Sequence, residues 1–202
     1  MSYDFLAFFS YKKSPQTNAW HRKFHAHLTY WLNQEMGDQF LIFFDERDIE
    51  PGFEFDKVLK RELARSAVLV PVWSPLYFSS RWCRTELQAF TDREDKLGLK
   101  RGTLIAPVCF HKEEGKNFPD AAAKMQYMDF REFATPHAHL WDGPQAGPFI
   151  EEIKKLARVI KNKLVADEHP DYDDSFLEIQ ESSYKPKPSK WRRVSETLGA
   201  TV

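Results

Sequence analysis

Ala67-Val-Leu-Val-Pro-Val-Trp73 runs straight into Ser74-Pro-Leu-Tyr-Phe-Ser-Ser-Arg-Trp-Cys-Arg-Thr-Glu-Leu87. The first segment is short, apolar and rich in β-branched residues, which predicts a buried strand. Ser74-Pro75 breaks that strand, and Ser79 or Ser80 supplies an N-cap for a helix opening at about Arg81. Trp82 and Glu86 are four residues apart, so on that helix they share a face. An aromatic plane and a carboxylate are thus presented where a buried strand hands over to a helix. Parallel α/β sheets hold their ligands at such places. The stretch therefore predicts a fold class and a site together.

The flanking chain repeats the strand-then-helix pattern. Tyr3 to Ser10 is nearly all apolar after Asp4, as a central parallel strand covered on both faces should be. It ends in the polar tip Ser10-Tyr11-Lys12-Lys13. Trp20, Phe24, Leu28 and Trp31 recur at helical spacing, and Gly37 closes that helix. Phe40 to Phe44 predicts a second strand. Asp45-Glu-Arg-Asp-Ile-Glu-Pro-Gly52 follows, a charged loop whose Pro51-Gly52 suits the centre of a type II turn. Phe55, Val58, Leu59 and Leu63 mark the next helix, and Leu87 and Phe90 are core contacts of the helix carrying Glu86. Thr103 to Phe110 predicts a fourth strand, with Pro107 placing it near an edge or a strand end. Met125 to Phe130 predicts a short fifth. Pro148 opens a last helix, carried by Ile150, Ile153, Leu156, Ala157, Ile160 and Leu164. About five such repeats predict a doubly wound parallel α/β sheet.

Residues 1–166 form the expected domain. From Asp167 the composition changes, acidic to Asp174 and then basic and proline-bearing over Lys185–Arg193. Residues 167–202 are expected to be an extension, extended or docked on a partner.

Composition narrows the function classes. A formal net charge of -1 over 202 residues gives no field that would draw the chain to nucleic acid or an anionic membrane. Two cysteines, Cys83 and Cys109, are too few for a disulfide framework and favour a reduced, cytoplasmic setting. No apolar run approaches the roughly 20 residues that span a bilayer, and the N-terminus is not a signal peptide. The glycines form neither a dinucleotide-binding G-x-G-x-x-G nor a P-loop. His21, His25 and His27 cluster on the first helix, but no third ligand is visible and Arg22 stands where a zinc-protease motif needs glutamate. They are expected to be a solvated face, and His137 and His139 have no partner to name. No metal site is expected.

Three segments together resemble the Toll/interleukin-1 receptor (TIR) domain family over about residues 1–165. Tyr3 to Tyr11 is similar to the family's first box, Asp45 to Gly52 to its loop after the second strand, and Ser74 to Leu87 to its third region with Trp-Cys-x-x-Glu-Leu. The resemblance implies a flavodoxin-like sheet of five parallel strands in the order 2-1-3-4-5, with helices on both faces. Its switch point falls between strands one and three, beyond which lie Ser10, Tyr11 and Ser74 to Glu86. TIR domains are of two kinds, assembly scaffolds and enzymes that split NAD at the nicotinamide bond. The enzymes carry a glutamate at the position of Glu86, and many scaffolds lack it.

On the enzymatic reading NAD is substrate, not cofactor. Nicotinamide is cationic in NAD and leaves neutral, so no general acid is needed. One ionised carboxylate beside the ribose can stabilise the developing oxocarbenium charge, and Glu86 is the candidate catalyst. Trp82, Tyr11 and Phe9 are available to stack the rings, and Lys12, Lys13 and Arg47 to pair with the pyrophosphate. Ser10, Asp45 and Ser74 complete the expected substrate-binding set. From spacing alone, Glu86 is equally well a solvated acid near a helix N-terminus, and Trp82 plain core. Cys83 is expected to be a small helix residue, since no histidine is placed to activate it.

The compact architecture also resembles the stand-alone bacterial TIR proteins of Thoeris anti-phage defence, which make a nucleotide signal for a downstream effector. That resemblance implies an NAD-cleaving enzyme releasing ADP-ribose or a cyclic or conjugated relative, with TIR–TIR self-association. The alternative is a non-catalytic scaffold that assembles through Asp45 to Gly52.

Overall fold

In the computed structural model, every side chain from Ser66 to Trp73 is buried. A strand can be so only with a neighbour on each side and a layer on each face. Residues 3–45, 53–115, 118–135, 139–167 and 169–179 are described. They form β1 (Phe5–Ser10), α1 (Asn18–Met36), β2 (Ile42–Phe44), α2 (Phe53–Ala64), β3 (Ser66–Trp73), α3 (Pro75–Ser79), α4 (Arg81–Lys96), β4 (Val108–Cys109), α5 (Asp120–Ala123), β5 (Met128–Asp129), α6 (His139–Asp142) and α7 (Ala146–Leu164). Tight 3-10 turns lie at Arg131–Phe133 and Asp174–Leu177.

The five strands make one sheet in the order β2-β1-β3-β4-β5, every pair parallel. This is the doubly wound parallel sheet that the sequence pattern predicts, in the flavodoxin-like order that the family resemblance implies. Phe8 lies opposite Phe43 on one side and Leu69 on the other, which fixes the register at the centre. Successive residues of a strand face opposite layers, so Phe9 enters one core and Phe8 the other. Phe9 packs with Trp20, Phe24, Phe130 and Phe149 beneath α1 and α7. Phe8 packs with Trp73, Tyr77, Leu87 and Phe90 beneath α3 and α4. Each such ring removed from water is worth about 2–3 kcal/mol, so two aromatic-rich layers hold the sheet from both sides.

Several elements differ from the sequence expectation, each for a local reason. Thr103–Phe110 does not pair along its length. Leu69 donates to Leu104 O and Ala106 donates to Leu69 O, giving a single bridge at Ile105. Pro107 has no N–H to continue the ladder, and regular pairing resumes only at Val108–Cys109. β2 begins at Ile42, not Phe40, because Asn33 exchanges hydrogen bonds with the Phe40 backbone and holds it in the turn. In α1 the buried stripe is Trp20, Phe24, Leu28 and Leu32; Trp31 sits at the rim with Lys154 over its ring at 4.4 Å. Val58 faces outward while Leu59 and Leu63 go into the core. Gly37 does close α1, at φ +75°, its N–H donating to Asn33 O.

Residues 169–179 of the C-terminal extension lie against the domain at the amino ends of β1 and β3. Tyr172 and Phe176 pack on Ala64, and Tyr3 donates to Pro170 O at 3.1 Å. The Arg93 guanidinium is held between the rings of Phe90 and Phe176, 4.2 Å from each, and donates to the carbonyls of Ser66 and Ala64. Phe176→Leu keeps the apolar contact but removes one face of that sandwich. We expect it to lower unfolding stability by about 1 kcal/mol in a denaturant titration. An unchanged midpoint would mean that this stretch does not dock.

Candidate functional site

β1 leads out to β2 on one side of the sheet, and the chain then crosses to β3 on the other. The carboxyl ends of β1 and β3 are therefore the switch point of the sheet, where open α/β sheets take their ligands, and Ser10 and Trp73 stand there. Ser74 leaves β3 in an extended conformation and accepts the N–H of Tyr77 at 3.1 Å, capping the one-turn helix α3. Ser80 then caps α4 by accepting from Cys83 N–H. Two caps six residues apart turn the chain twice, driving Tyr77 inward and pointing the inner face of α4 at the end of β1.

Glu86 stands at the focus of this turn. It is only 7% exposed. Its Oε2 accepts a hydrogen bond from Ser10 Oγ at 2.5 Å. Ser10 Oγ lies 2.9 Å from the Tyr77 hydroxyl, which donates to the Cys83 carbonyl at 2.9 Å. Burial pushes the Glu86 carboxyl up to about 7; Asp45 adds to this, while the Ser10 hydrogen bond and Lys13 oppose it. The group is a carboxyl largely withdrawn from water. It can meet positive charge strongly because little water competes with it.

The other predicted residues divide. Asp45 and Lys13 form an ion pair at 3.1 Å, and Tyr11 donates to the Asp45 backbone carbonyl, tying the chain after β1 to the chain after β2. Lys12 is exposed beside them. Tyr11 is half-buried and stacked on Phe44, with ring centres 5.0 Å apart. Phe9 is not available to a ligand ring: it is 1% exposed and enclosed by Phe24, Phe44 and Tyr11. Ser74 is committed to its cap. Trp82 is half-buried against the cluster containing Tyr77 and Cys83 and keeps part of its surface in solvent. Arg47 and the rest of the loop to Gly52 lie outside the described residues. Cys83 is buried and burial raises its thiol well above the ordinary range, so it is a packing residue.

Tyr77 was missed in the sequence. Its signal was present: a hydroxyl inside a turn of otherwise apolar residues, three places after a capping serine, must find a partner once buried. His21 also departs from expectation. It is 4% exposed, wedged among Tyr11, Trp20 and Phe110, and burial holds it at about 3, well below the usual imidazole range. Among the described residues no cluster of His, Cys, Asp or Glu could hold a metal ion. Among the described residues no helix is long and apolar enough to cross a membrane. A cavity of about 440 Å³ exists at the far end of the sheet, lined by Ile105 to Pro107 and Gln126 to Met128. Its lining carries the cations Arg101, Lys124 and Lys163 and no carboxylate, so chemistry rather than volume selects the Glu86 site.

The family model for TIR domains matches residues 8–142. No curated protein matches the chain. Among solved structures, the chain is similar to the TIR domain of the Toll-related receptor TRR-2 from Hydra magnipapillata. That match has 21% identity and a TM-score of 0.44, covering 80% of this chain and all of the other. It is also similar to the TIR domains of the activated Roq1 resistosome that recognises the pathogen effector XopQ. There the identity is 22% and the TM-score 0.37, over 76% of this chain and 84% of that one.

Proposed function

The chain belongs to the TIR domain family, and we propose on that footing that it is an enzyme cleaving the nicotinamide–ribose bond of NAD. The observation that carries this reading is the Glu86 carboxyl, buried at the carboxyl end of the central strands with Ser10 as its hydrogen-bond donor. Glu86 sits at the position where the family's NAD-cleaving members carry glutamate.

As the glycosidic bond lengthens, the positive charge of the nicotinamide ring passes to the ribose as an oxocarbenium ion. Glu86, ionised, stabilises that charge across a short, water-poor gap. The cationic substrate itself favours the ionised form of a carboxyl otherwise poised near neutrality. Trp82 offers a partly open aromatic face for a base, and Lys12 and Lys13 offer cations for the pyrophosphate. The products are nicotinamide and ADP-ribose, or a cyclic or conjugated relative serving as a signal to a downstream effector. We place the protein in bacterial anti-phage immunity of the Thoeris type, in the cytoplasm, acting through TIR–TIR self-association.

Burial also favours a second reading. A carboxyl only 7% exposed in the isolated chain suits a non-catalytic scaffold as well as an enzyme awaiting assembly. Nicotinamide release from NAD by the purified protein, measured free and under forced clustering, separates the two. Release identifies an enzyme, and chromatography of the companion product separates hydrolysis from signal synthesis. No release in either condition identifies the scaffold.

A further inference from the structure

Four oxygens stand in a row at the site: Glu86 Oε2, Ser10 Oγ, Tyr77 Oη and the Cys83 carbonyl, spaced 2.5, 2.9 and 2.9 Å apart. Protons among them are scarce. Ser10 and Tyr77 own one each, the carbonyl owns none, and the carboxyl owns one or none. With Glu86 neutral, its O–H donates to Ser10, Ser10 donates to Tyr77, and Tyr77 donates to the carbonyl. With Glu86 ionised, Tyr77 turns to donate to Ser10 and Ser10 donates to the carboxylate. Cys83 lies within α4, so its carbonyl still has the N–H of Leu87, four residues on, as a helical partner. Neither state leaves a contact with two protons or a buried oxygen without a partner.

We propose that Ser10 and Tyr77 are positioning residues for Glu86, two hydroxyl rotors whose common direction reverses with the charge of the carboxyl. The inference rests on Glu86 as the reacting acid and adds what lets one buried side chain hold either charge. Ionisation releases the carboxyl proton to water; the rotors turn and transfer nothing. Ser10 is 1% exposed and Tyr77 is fully buried, so no solvent molecule substitutes for either rotor.

The groups facing Glu86 come from every neighbouring element. Ser10 and Lys13 stand at and beyond the end of β1, Asp45 follows β2, Tyr77 lies on α3, and Cys83 lies on α4 one turn before it. Burial holds both the Tyr77 hydroxyl and the Cys83 thiol well above their ordinary ranges, with the Glu86 charge adding to each. Both keep their protons where Glu86 titrates near 7. Tyr77 is therefore a relay and not an acid.

The test is a ¹³C NMR titration of the Glu86 side-chain carboxyl in the full chain, its resonance assigned by its absence in Glu86→Gln. Ser10→Ala removes the donor to the anion, and we expect the midpoint to rise by about one pH unit. Tyr77→Phe keeps the ring in the core but removes the polarising donor behind Ser10, so the midpoint rises in the same direction and by less. Ser10→Thr, which retains the hydroxyl, returns it towards wild type. Midpoints unchanged or lowered in Ser10→Ala and Tyr77→Phe overturn the proposal, even if both variants melt earlier, because a merely structural role moves stability alone. If Ser10→Ala does not fold, Tyr77→Phe carries the same test. The titration needs no substrate. A wild-type protein that releases no nicotinamide thus refutes the enzymatic reading without deciding the relay.

Discussion

Glu86→Gln is expected to reduce nicotinamide release from NAD by about 10²–10³-fold, the usual loss when one preorganised electrostatic partner of a transition state is removed. Glutamine has the shape of the acid, and its amide can both accept from and donate to Ser10 Oγ, so the turn around α3 is retained. What disappears is the charge opposite the ribose. Substrate contacts made through stacking and the pyrophosphate are untouched, so the loss falls on kcat while KM changes little. The wild-type kcat/KM should rise with pH through about 7, because burial raises Glu86 to that value and the ionised form is the active one. Full turnover by the variant would remove Glu86 from the mechanism.

The fold was legible because its information is local. β3 reads as an unbroken apolar run because both its faces are covered, and α1 reads as a stripe because only one of its faces is. The strands that blurred were the two short ones on the β4–β5 side of the sheet. At β4 and β5 pairing is set by which backbone groups are left over after Pro107 and the neighbouring turns, and hydrophobic pattern does not record that. His21 was misplaced for a similar reason. A helix wheel sets it beside Trp20 at the margin of the stripe, but the tip of β1 folds over that margin through Tyr11, and only tertiary placement reveals it.

The site was legible to the degree that its residues come from one stretch. Ser80 and Glu86 declare themselves by capping chemistry and helical spacing, whereas Ser74, expected at the substrate, is spent on capping α3. Ser10 was placed at the crevice by topology, but its bond to Glu86 spans 76 residues of sequence and depends on the switch point between β1 and β3. Phe9 shows the opposite error. Adjacent to Ser10 and aromatic, it reads as a site residue in the sequence, yet strand alternation sends neighbours to opposite faces, and Phe9 is in the core.

The same substitution, Glu86→Gln, is expected to stabilise the protein at alkaline pH and to leave it nearly unchanged in acid. The Glu86 carboxyl titrates at about 7 in the folded chain against an ordinary 4.5, so the folded state binds this proton more tightly than the unfolded state does. The contribution of that proton is fully present below about pH 4.5 and is lost as pH rises through 7, where a buried charge must be carried. Glutamine does not titrate and escapes the loss. The advantage of the variant should therefore grow from near zero at pH 4.5 to about 3 kcal/mol at pH 8, which urea titrations at several pH values would resolve. A difference that stays flat with pH would mean that Glu86 ionises without penalty, in a wetter crevice than its 7% exposure describes. A difference that grows, joined to the loss of turnover, identifies Glu86 as a residue kept at the expense of stability for the charge it carries.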